Sequence, residues 1–287
     1  MILRRFVMND LIIGASTGYN WNVLKYWVNS INQSGFEGEK VLVLMNCDIE
    51  TVKRVIDSGF KVIGFGQNEN GDLVYEHGRI PVHVERFIHI YDHLSRNDYR
   101  FVITTDVKDV VFQKNPIPHV EELLNSSDKD YLFASESMRY KDEPWGNQNL
   151  LETYGQYIYD KFKHNTIYNV GVLAGRGYAI RDLTINIFTA AINRPIPICD
   201  QSTFNFMISQ EPYRSTSLYM NSEDGWASQL GTTADPSKIE QFRPFLLEAE
   251  PKMIDGKVTT SEGKEFTIVH QYDRVPEWRK VIEAKYG

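Results

Sequence analysis

The first 112 residues alternate between short apolar runs and longer segments whose apolar residues recur at helical spacing. The apolar runs predict strands at residues 11–15, 39–45 and 60–65, and a fourth from residue 101. The helical spacing predicts helices at residues 21–31, 49–59 and 82–94, the second with Asp48 as its N-cap and Gly59 at its end. Such alternation is typical of a parallel sheet with helices on its faces. We therefore expect an α/β fold with a mixed, mostly parallel central sheet flanked by helices on both faces.

The second half of the chain carries weaker patterns of the same kind. They predict strands at residues 131–135 and 168–173 and a helix at residues 179–192. Residues 147–162 are either a polar helix or a helical loop. Residues 210–249 contain polar runs with glycine at positions 225 and 231, and their structure is the hardest to predict. No repeat, low-complexity tract or long linker divides the sequence, so we expect a single domain over residues 1–287.

Charge and cysteine content exclude several classes of function. The net charge is −7 and the 31 Lys and Arg residues are scattered, which argues against nucleic acid as the main partner. Cys47 and Cys199 have no CxxC spacing and no local His partner, so we expect two buried thiols rather than a zinc site or a disulfide. Residues 1–14 contain only short apolar runs, which predict neither a signal peptide nor a membrane anchor, and hence a soluble, cytoplasmic protein.

The fourth predicted strand ends on two aspartates, in the segment FVITTDVKDVVFQKNP at residues 101–116. Asp106 and Asp109 therefore lie at the carboxyl end of a strand, where α/β sheets bind their ligands. Carboxylates in this place suit a hard divalent cation that also carries phosphates. The alternative is that Asp106 caps a turn and Asp109 is a solvated charge. The local sequence favours neither interpretation.

Three later segments form a set of motifs together with DVKDVVF at residues 106–112. That first segment resembles a variant of the DxD motif of GT-A-fold glycosyltransferases, which use nucleotide-activated sugars. NVGV at residues 169–172 resembles the NxGV strand of several retaining families, and DQSTFN at residues 200–205 resembles their DQxxxN helix start. HQYDRVPEW, from His270 to Trp278, is similar to the HxxGxxKPW ending of glycogenin-like and galactosyltransferase-like enzymes. The motifs keep the order of the family and span nearly the whole chain.

The resemblance implies a GT-A, Rossmann-like fold and a definite reaction. A sugar would pass from a nucleoside diphosphate, UDP by default, to a hydroxyl acceptor such as a glycan, with retention at the anomeric carbon. A divalent metal, Mn²⁺ or Mg²⁺, would be held by Asp106, Asp109 and His270. Residues 1–115 would form the nucleotide-binding half of the domain and residues 116–287 the acceptor-binding half, with residues 210–249 as an acceptor-binding elaboration.

The resemblance also assigns side chains to the nucleotide and the sugar. Those expected to contact the nucleotide-sugar are Ala15, Ser16, Thr17, Tyr19, Arg86, Asp106 and Val107. Those expected beside the transferred sugar, as catalytic candidates, are Asn169, Asp200 and Gln201. Simpler roles remain open for some of them: Asp200 as a helix N-cap, Arg86 on a solvated helix face and Asn169 in a turn.

The sequence departs from the family motifs in two places. The first motif is DxxD, and residues three apart in an extended strand point to opposite faces. Asp106 and Asp109 can therefore share one metal only if the chain turns between them, which makes Asp109 the best single candidate. At the C-terminus Asp273 replaces the family's glycine and its lysine is missing, so Arg274 or Arg279 would supply the positive charge.

Other roles are assigned from residue type and local sequence. Trp145 and Trp226 lie in polar segments beside glycine and are candidates for an aromatic platform under the acceptor. An inverting enzyme would need a carboxylate base, for which Asp200, Glu223 and Asp224 are candidates.

Two other functions remain open: a catalytically silent carbohydrate- or nucleotide-binding protein, and a sugar nucleotidyltransferase. The second should carry a basic, glycine-rich loop after its first strand, and GASTGYN at residues 14–20 has no basic residue.

Overall fold

The computed structural model describes residues 9–287, so most of the prediction about the N-terminal segment lies outside the described residues. The strands are β1 (Leu11–Thr17), β2 (Glu39–Met45), β3 (Lys61–Ile63), β4 (Phe101–Thr105), β5 (Val110–Phe112), β6 (Tyr131–Arg139), β7 (Thr166–Arg176), β8 (Ser217–Met220), β9 (Ala227–Gln229), β10 (Lys252–Ile254), β11 (Lys257–Thr259) and β12 (Ile268–His270). The α-helices are α1 (Trp21–Gln33), α2 (Ile49–Asp57), α3 (Val82–Arg96), α4 (Ile117–Ser127), α5 (Pro144–Phe162), α6 (Gly177–Ala191), α7 (Asp200–Ile208), α8 (Tyr213–Thr216), α9 (Leu230–Thr233), α10 (Ile239–Phe242) and α11 (Pro276–Tyr286). Short 3-10 helices span Tyr140–Asp142, Ser222–Asp224, Arg243–Phe245 and Tyr272–Arg274.

Seven strands form the main sheet, in the order β3-β2-β1-β4-β7-β6-β8. The four strands from the first half of the chain are parallel to one another. β7 runs antiparallel to both of its neighbours, and β6 and β8 pair in parallel at the far edge. The sheet is therefore mixed and mostly parallel, as the alternating pattern of the sequence predicted.

Helices cover both faces of this sheet because successive strand residues point to opposite sides. In β1, Ile12 packs in the core cluster that includes residues of α1, α2 and α4. Its neighbours Leu11 and Ile13 pack in the cluster that includes residues of α3, α6 and α7. The prediction of a sheet flanked on both faces is confirmed.

Local sequence explains most of the element boundaries. Asp48 caps α2 by accepting a 2.8 Å hydrogen bond from the Thr51 backbone N–H, as predicted, and Gly59 follows the helix with φ of 85°. β7 is longer than predicted because its pairing with β4 continues as far as Arg176, which lies opposite Phe101. Gly175 therefore lies within that strand, beyond its predicted end at residue 173.

The poorly predicted segment at residues 210–249 contributes to two sheets. β8 extends the edge of the main sheet, and β9 joins β5 and β12 in a three-stranded sheet of order β5-β12-β9. A separate hairpin is formed by β10 and β11. The segment is thus part of the framework around the carboxyl end of β4.

Two further expectations concern cysteines and membranes. Cys47 and Cys199 are both buried and free, as predicted. Within residues 9–287, none of the helices has the length and hydropathy needed to span a bilayer.

Candidate active site

The three-stranded sheet brings the first and last motifs of the sequence together. β5 follows Asp109 directly and pairs antiparallel with β12, so that His270 lies opposite Val110. The chain bends between the end of β4 at Thr105 and the start of β5, and this bend directs Asp106 and Asp109 toward the same place. The condition that the DxxD spacing imposed, a turn between the two aspartates, is therefore met.

Asp106, Asp109 and His270 form a compact set of potential metal ligands. One ligand atom from each lies within 4.8 Å of the others. His270 Nε2 is 3.5 Å from Asp106 Oδ2 and 3.5 Å from Asp109 Oδ1. Two carboxylate oxygens and one imidazole nitrogen suit Mn²⁺ or Mg²⁺, with the remaining positions left for other oxygen ligands.

The orientation of His270 is set by Gln229 on the neighbouring strand β9. These residues face each other in the parallel register, and His270 Nδ1 lies 2.7 Å from Gln229 Oε1. An amide oxygen only accepts hydrogen bonds, so Nδ1 carries a proton and Nε2 is the nitrogen that faces the two aspartates; when the ring is neutral, Nε2 has a lone pair to offer a metal ion. This is the arrangement that a metal-binding histidine requires.

Gly171 in the NVGV segment leaves space beside the cluster. A Cβ atom on this residue would lie 2.7 Å from Asp106 Oδ2 and 2.7 Å from His270 Cε1, closer than carbon and oxygen atoms approach. The Gly171 carbonyl also accepts a 2.8 Å hydrogen bond from the Asp106 backbone N–H. Glycine is therefore required here by packing against the potential ligands, and the donor set with its open space fits a bound cation.

Arg86 on α3 connects two of the acidic residues. Its guanidinium donates to Asp106 Oδ1 and, at 3.2 Å, to Asp200 Oδ2. Only 11% of the side chain is exposed, so the interpretation of Arg86 as a residue on a solvated helix face is wrong. Asp200 lies in the first turn of α7 after the N-cap residue Cys199 and makes this ion pair instead of capping the helix, so its N-cap interpretation is wrong as well.

Glu136 on β6 belongs to the site, although no motif pointed to it. Its Oε1 accepts a 2.6 Å hydrogen bond from Asn169 Nδ2 and a 3.0 Å hydrogen bond from Gln201 Nε2. Asn169 also accepts a 2.6 Å hydrogen bond from the Gly171 N–H, so it is not merely a turn residue. Burial raises the pKa of the Glu136 carboxyl to about 7, although the two amide hydrogen bonds oppose this shift.

One cavity of about 520 Å³ collects these residues. Every residue that the sequence assigned to the nucleotide, the sugar or the metal lines it, from Ala15 at the end of β1 to His270 on β12. The cavity lies at the carboxyl ends of β1 and β4, where a parallel sheet is expected to bind its ligand. Further lining residues that the sequence did not single out include His83, Glu136, Glu143, Lys238 and Gln271.

Comparison with known proteins adds one finding. No protein-family model and no curated protein matches the sequence. The structure is similar to the apo structure of WbbM, a bifunctional glycosyltransferase, with a TM-score of 0.58 and 11% sequence identity. The match covers 98% of this chain and 50% of that one, so the chain spans half the length of the protein it resembles. At this identity the likeness shows the fold, a GT-A-like Rossmann architecture.

Several residues chosen from the sequence lie away from the cavity. Trp226 is fully buried and packs edge-on against His119 at 5.5 Å, so it cannot serve as an acceptor platform. Trp145 is 51% exposed and does line the cavity. The assignment of Glu223 and Asp224 as candidate bases is wrong, because both lie outside the cavity. Glu223 accepts a hydrogen bond from the Ser261 backbone N–H, and Asp224 accepts one from the Asn221 backbone N–H.

The two arginines proposed to replace the missing lysine also differ in position. Arg274 lines the cavity. Arg279 lies on α11 and pairs with Glu283 at 2.8 Å on the surface of the helix. Of the two, only Arg274 is placed to contact a ligand in this cavity.

Proposed function

We propose that the chain is a metal-dependent glycosyltransferase that moves a sugar from a nucleoside diphosphate, UDP by default, to a hydroxyl group on a glycan or another acceptor. The observation that carries the proposal is the cluster of Asp106, Asp109 and His270 in a cavity large enough for a nucleotide-sugar. The likeness of the fold to that of a bifunctional glycosyltransferase supports it. We assign the nucleotide mainly to residues 1–115 and the acceptor to residues 116–287 of a single domain.

The metal, Mn²⁺ or Mg²⁺, would be held by Asp106, Asp109 and His270. When bound, such an ion stabilises the negative charge that develops on the departing β-phosphate. Arg86 bonds to Asp106 Oδ1, which leaves Oδ2 directed toward His270 Nε2. Although burial alone would raise the pKa of Asp109, the nearby His270 imidazole, Lys108 and Arg274 hold it below its usual value, so the carboxyl is ionised at neutral pH.

The nucleoside would lie over the end of β1, in contact with Ala15, Ser16, Thr17 and Tyr19. Val107, which is buried between β4 and β5, lines the same part of the cavity. Its Cγ1 lies 2.3 Å from the position that a Cβ on Gly14 would take, so Gly14 allows this loop to pack directly on β1. The diphosphate would then reach from the nucleoside to the metal across Asp106.

The transferred sugar would lie beside Glu136, Asn169, Asp200 and Gln201. Asp200 forms an ion pair with Arg86, and Glu136 is only 4% exposed, so neither carboxyl is placed to act as a general base on an incoming acceptor. Inversion requires such a base. In retention the leaving phosphate itself can take the acceptor's proton, and we therefore propose retention. Trp145 at the edge of the cavity offers a face on which an acceptor sugar can stack.

The decisive experiment is a panel of nucleotide-sugars screened for hydrolysis with Mn²⁺, with Mg²⁺ and with EDTA. We expect hydrolysis of at least one of them with a metal ion, and its loss with EDTA and in His270→Ala. Glu223→Gln, which removes a carboxylate outside the cavity, is the matched control and should retain activity. Hydrolysis that survives both EDTA and His270→Ala would contradict the metal-assisted mechanism.

Two other results would point to a different function. Nucleotide binding without any turnover would favour a catalytically silent binding protein. If no nucleotide binds at all, the assignment to sugar transfer is wrong.

A further inference from the structure

A hydrogen-bonded chain of three side chains runs from the cavity wall into the protein at the end of β1. Thr17 Oγ1 lies 2.7 Å from His77 Nε2, and His77 Nδ1 lies 2.7 Å from Glu85 Oε2. Glu85 is buried on α3, and its other oxygen, Oε1, accepts a 2.7 Å hydrogen bond from the Tyr75 hydroxyl. We call Thr17, His77 and Glu85 the relay. Only Thr17 was assigned to the site from the sequence.

The relay fixes the direction of its hydrogen bonds. An ionised carboxylate only accepts, so in its neutral form the His77 ring carries its proton on Nδ1, which faces Glu85, and presents a lone pair at Nε2. The Thr17 hydroxyl has a single proton, which it donates to that lone pair. Asn46 Nδ2 donates to Thr17 Oγ1 from 3.4 Å. Toward a ligand, the Thr17 oxygen therefore has only a lone pair to offer.

The position of Thr17 suits contact with a nucleobase. Gly14 lies opposite Thr105, the residue just before Asp106, and Thr17 lies three residues further along β1. At about 3.3 Å per strand residue, this places Thr17 roughly 10 Å beyond the level of Thr105. A second, smaller cavity of about 250 Å³ is lined by His77 and shares Thr17 and Val82 with the main one. The relay thus lies where the two cavities meet, away from the metal ligands.

We infer that the relay selects the nucleobase of the donor. With its hydroxyl held as an acceptor, Thr17 favours a base whose ring edge presents an N–H group, as uracil does at N3, over cytosine, which presents a lone pair there. His77 and Glu85 act as positioning residues, because they set the polarity of the Thr17 hydroxyl without contacting the ligand themselves. The inference rests on the proposed function, since it requires a nucleoside diphosphate in the cavity.

Glu85→Gln tests this polarity with little change in shape. The substituted amide keeps an oxygen for the Tyr75 hydroxyl but places an NH₂ group against His77 Nδ1. The imidazole proton then moves to Nε2 and is donated to Thr17, whose own proton turns toward the cavity. A misdirected hydrogen bond of this kind costs enough to change a binding ratio by about tenfold or more.

The measurement is the affinity of UDP and of CDP in the presence of Mn²⁺, by titration calorimetry on the full chain. The unsubstituted protein should bind UDP at least about tenfold more tightly than CDP, and Glu85→Gln should abolish or reverse that preference. Glu50→Gln, which removes an exposed carboxylate on α2, is the matched control and should keep it. A merely structural role of Glu85 would weaken both nucleotides equally.

A second pair of variants keeps the test decisive if Glu85→Gln does not fold, as judged by its thermal unfolding. Thr17→Ser retains the hydroxyl and should keep the preference for UDP, whereas Thr17→Val should lose it. Equal binding of UDP and CDP by the unsubstituted protein, or an unchanged preference in Thr17→Val, would overturn the inference and leave the proposed function intact. Failure of the unsubstituted protein to bind either nucleotide would instead overturn the proposed function.

Discussion

Asp109 and Glu136 line the same cavity and are both buried, yet their surroundings shift their pKa values in opposite directions. Asp109 lies beside His270, Lys108 and Arg274, whose positive charge outweighs the effect of burial and lowers its pKa. Among residues 9–287, the donors to the Glu136 carboxyl are the neutral amides of Asn169 and Gln201, and burial raises its pKa to about 7. The Asp109 carboxyl is therefore kept charged at neutral pH, while the Glu136 carboxyl is close to the midpoint of its titration.

This difference in pKa suits the two carboxyls to different roles within one cavity. A permanently ionised group that is matched by cationic neighbours suits the binding of a metal ion. A carboxyl near its midpoint, held by two amides through one oxygen, suits contact with the hydroxyl groups of a sugar. Pairs of acids whose pKa values are moved apart in this way commonly mark distinct roles in an active site.

The largest effect is expected from Asp109→Asn. The amide keeps the shape of the side chain but loses the charge that would hold the proposed metal, so turnover of the preferred nucleotide-sugar should fall roughly 100- to 1,000-fold. Calorimetric titration with Mn²⁺ should show a matching loss of affinity. Unchanged Mn²⁺ affinity would mean that Asp109 is not a ligand, and the contrast between the two carboxyls would lose its explanation.

A smaller effect, with a different pattern, is expected from Glu136→Gln. Since Oε1 accepts both amide hydrogen bonds, the substitution preserves them and changes only the group at Oε2. Because the NH₂ group that replaces Oε2 cannot accept a hydrogen bond from a sugar hydroxyl, we expect kcat/KM to fall about 10- to 100-fold while Mn²⁺ affinity is retained. In the unsubstituted protein kcat/KM should rise with pH up to about 7 and then level off, and Glu136→Gln should lack this step. A profile that is identical in both proteins would assign the titration to another group.

The smallest effect is that of Glu136→Gln on the free energy of unfolding, and it is a gain, whereas the two effects above are losses of activity. The folded pKa of Glu136, about 7, lies above its ordinary value of 4.5, so its contribution to stability is complete below pH 4.5 and is lost as pH rises through 7. Glu136→Gln has no ionisation to lose and should be more stable than the unsubstituted protein at pH 8 by about 2 kcal/mol, after allowance for solvent penetration. Urea unfolding at pH 8 and pH 4 measures the difference between the two proteins, which should nearly vanish at the lower pH. If the two proteins were equally stable at both pH values, the Glu136 carboxyl would have to be solvated.

Most strands and helices of the first half of the chain could be predicted, because they depend on patterns among residues that are close in sequence. β2 was predicted at its observed bounds, and the α2 cap at Asp48 was correct, since apolar alternation and capping depend on neighbours in sequence. The end of β7 was missed because Ala174 and Gly175 are small and resemble a turn. Gly175 is small for another reason: a Cβ there would lie 2.5 Å from the Asp130 carbonyl oxygen.

The site was predicted only where a motif marked it. Glu136 was missed because its partners, Asn169 and Gln201, come from β7 and α7 and are distant in sequence. The one local signal was an acidic residue within the strand-like segment YLFASESM, at residues 131–138. Trp226 was misjudged for the converse reason, since its polar neighbours indicated exposure while the adjacent strand β9 packs it into the core.

The third potential ligand, His270, lies on the middle strand of the small sheet, close to the end of the printed sequence. During synthesis on the ribosome, all seven strands of the main sheet emerge before this strand does. A nascent chain can therefore contain its main sheet and both aspartates while its set of potential metal ligands is still incomplete. Metal affinity would then appear only when β12 inserts between β5 and β9, and it would report that this last segment has docked.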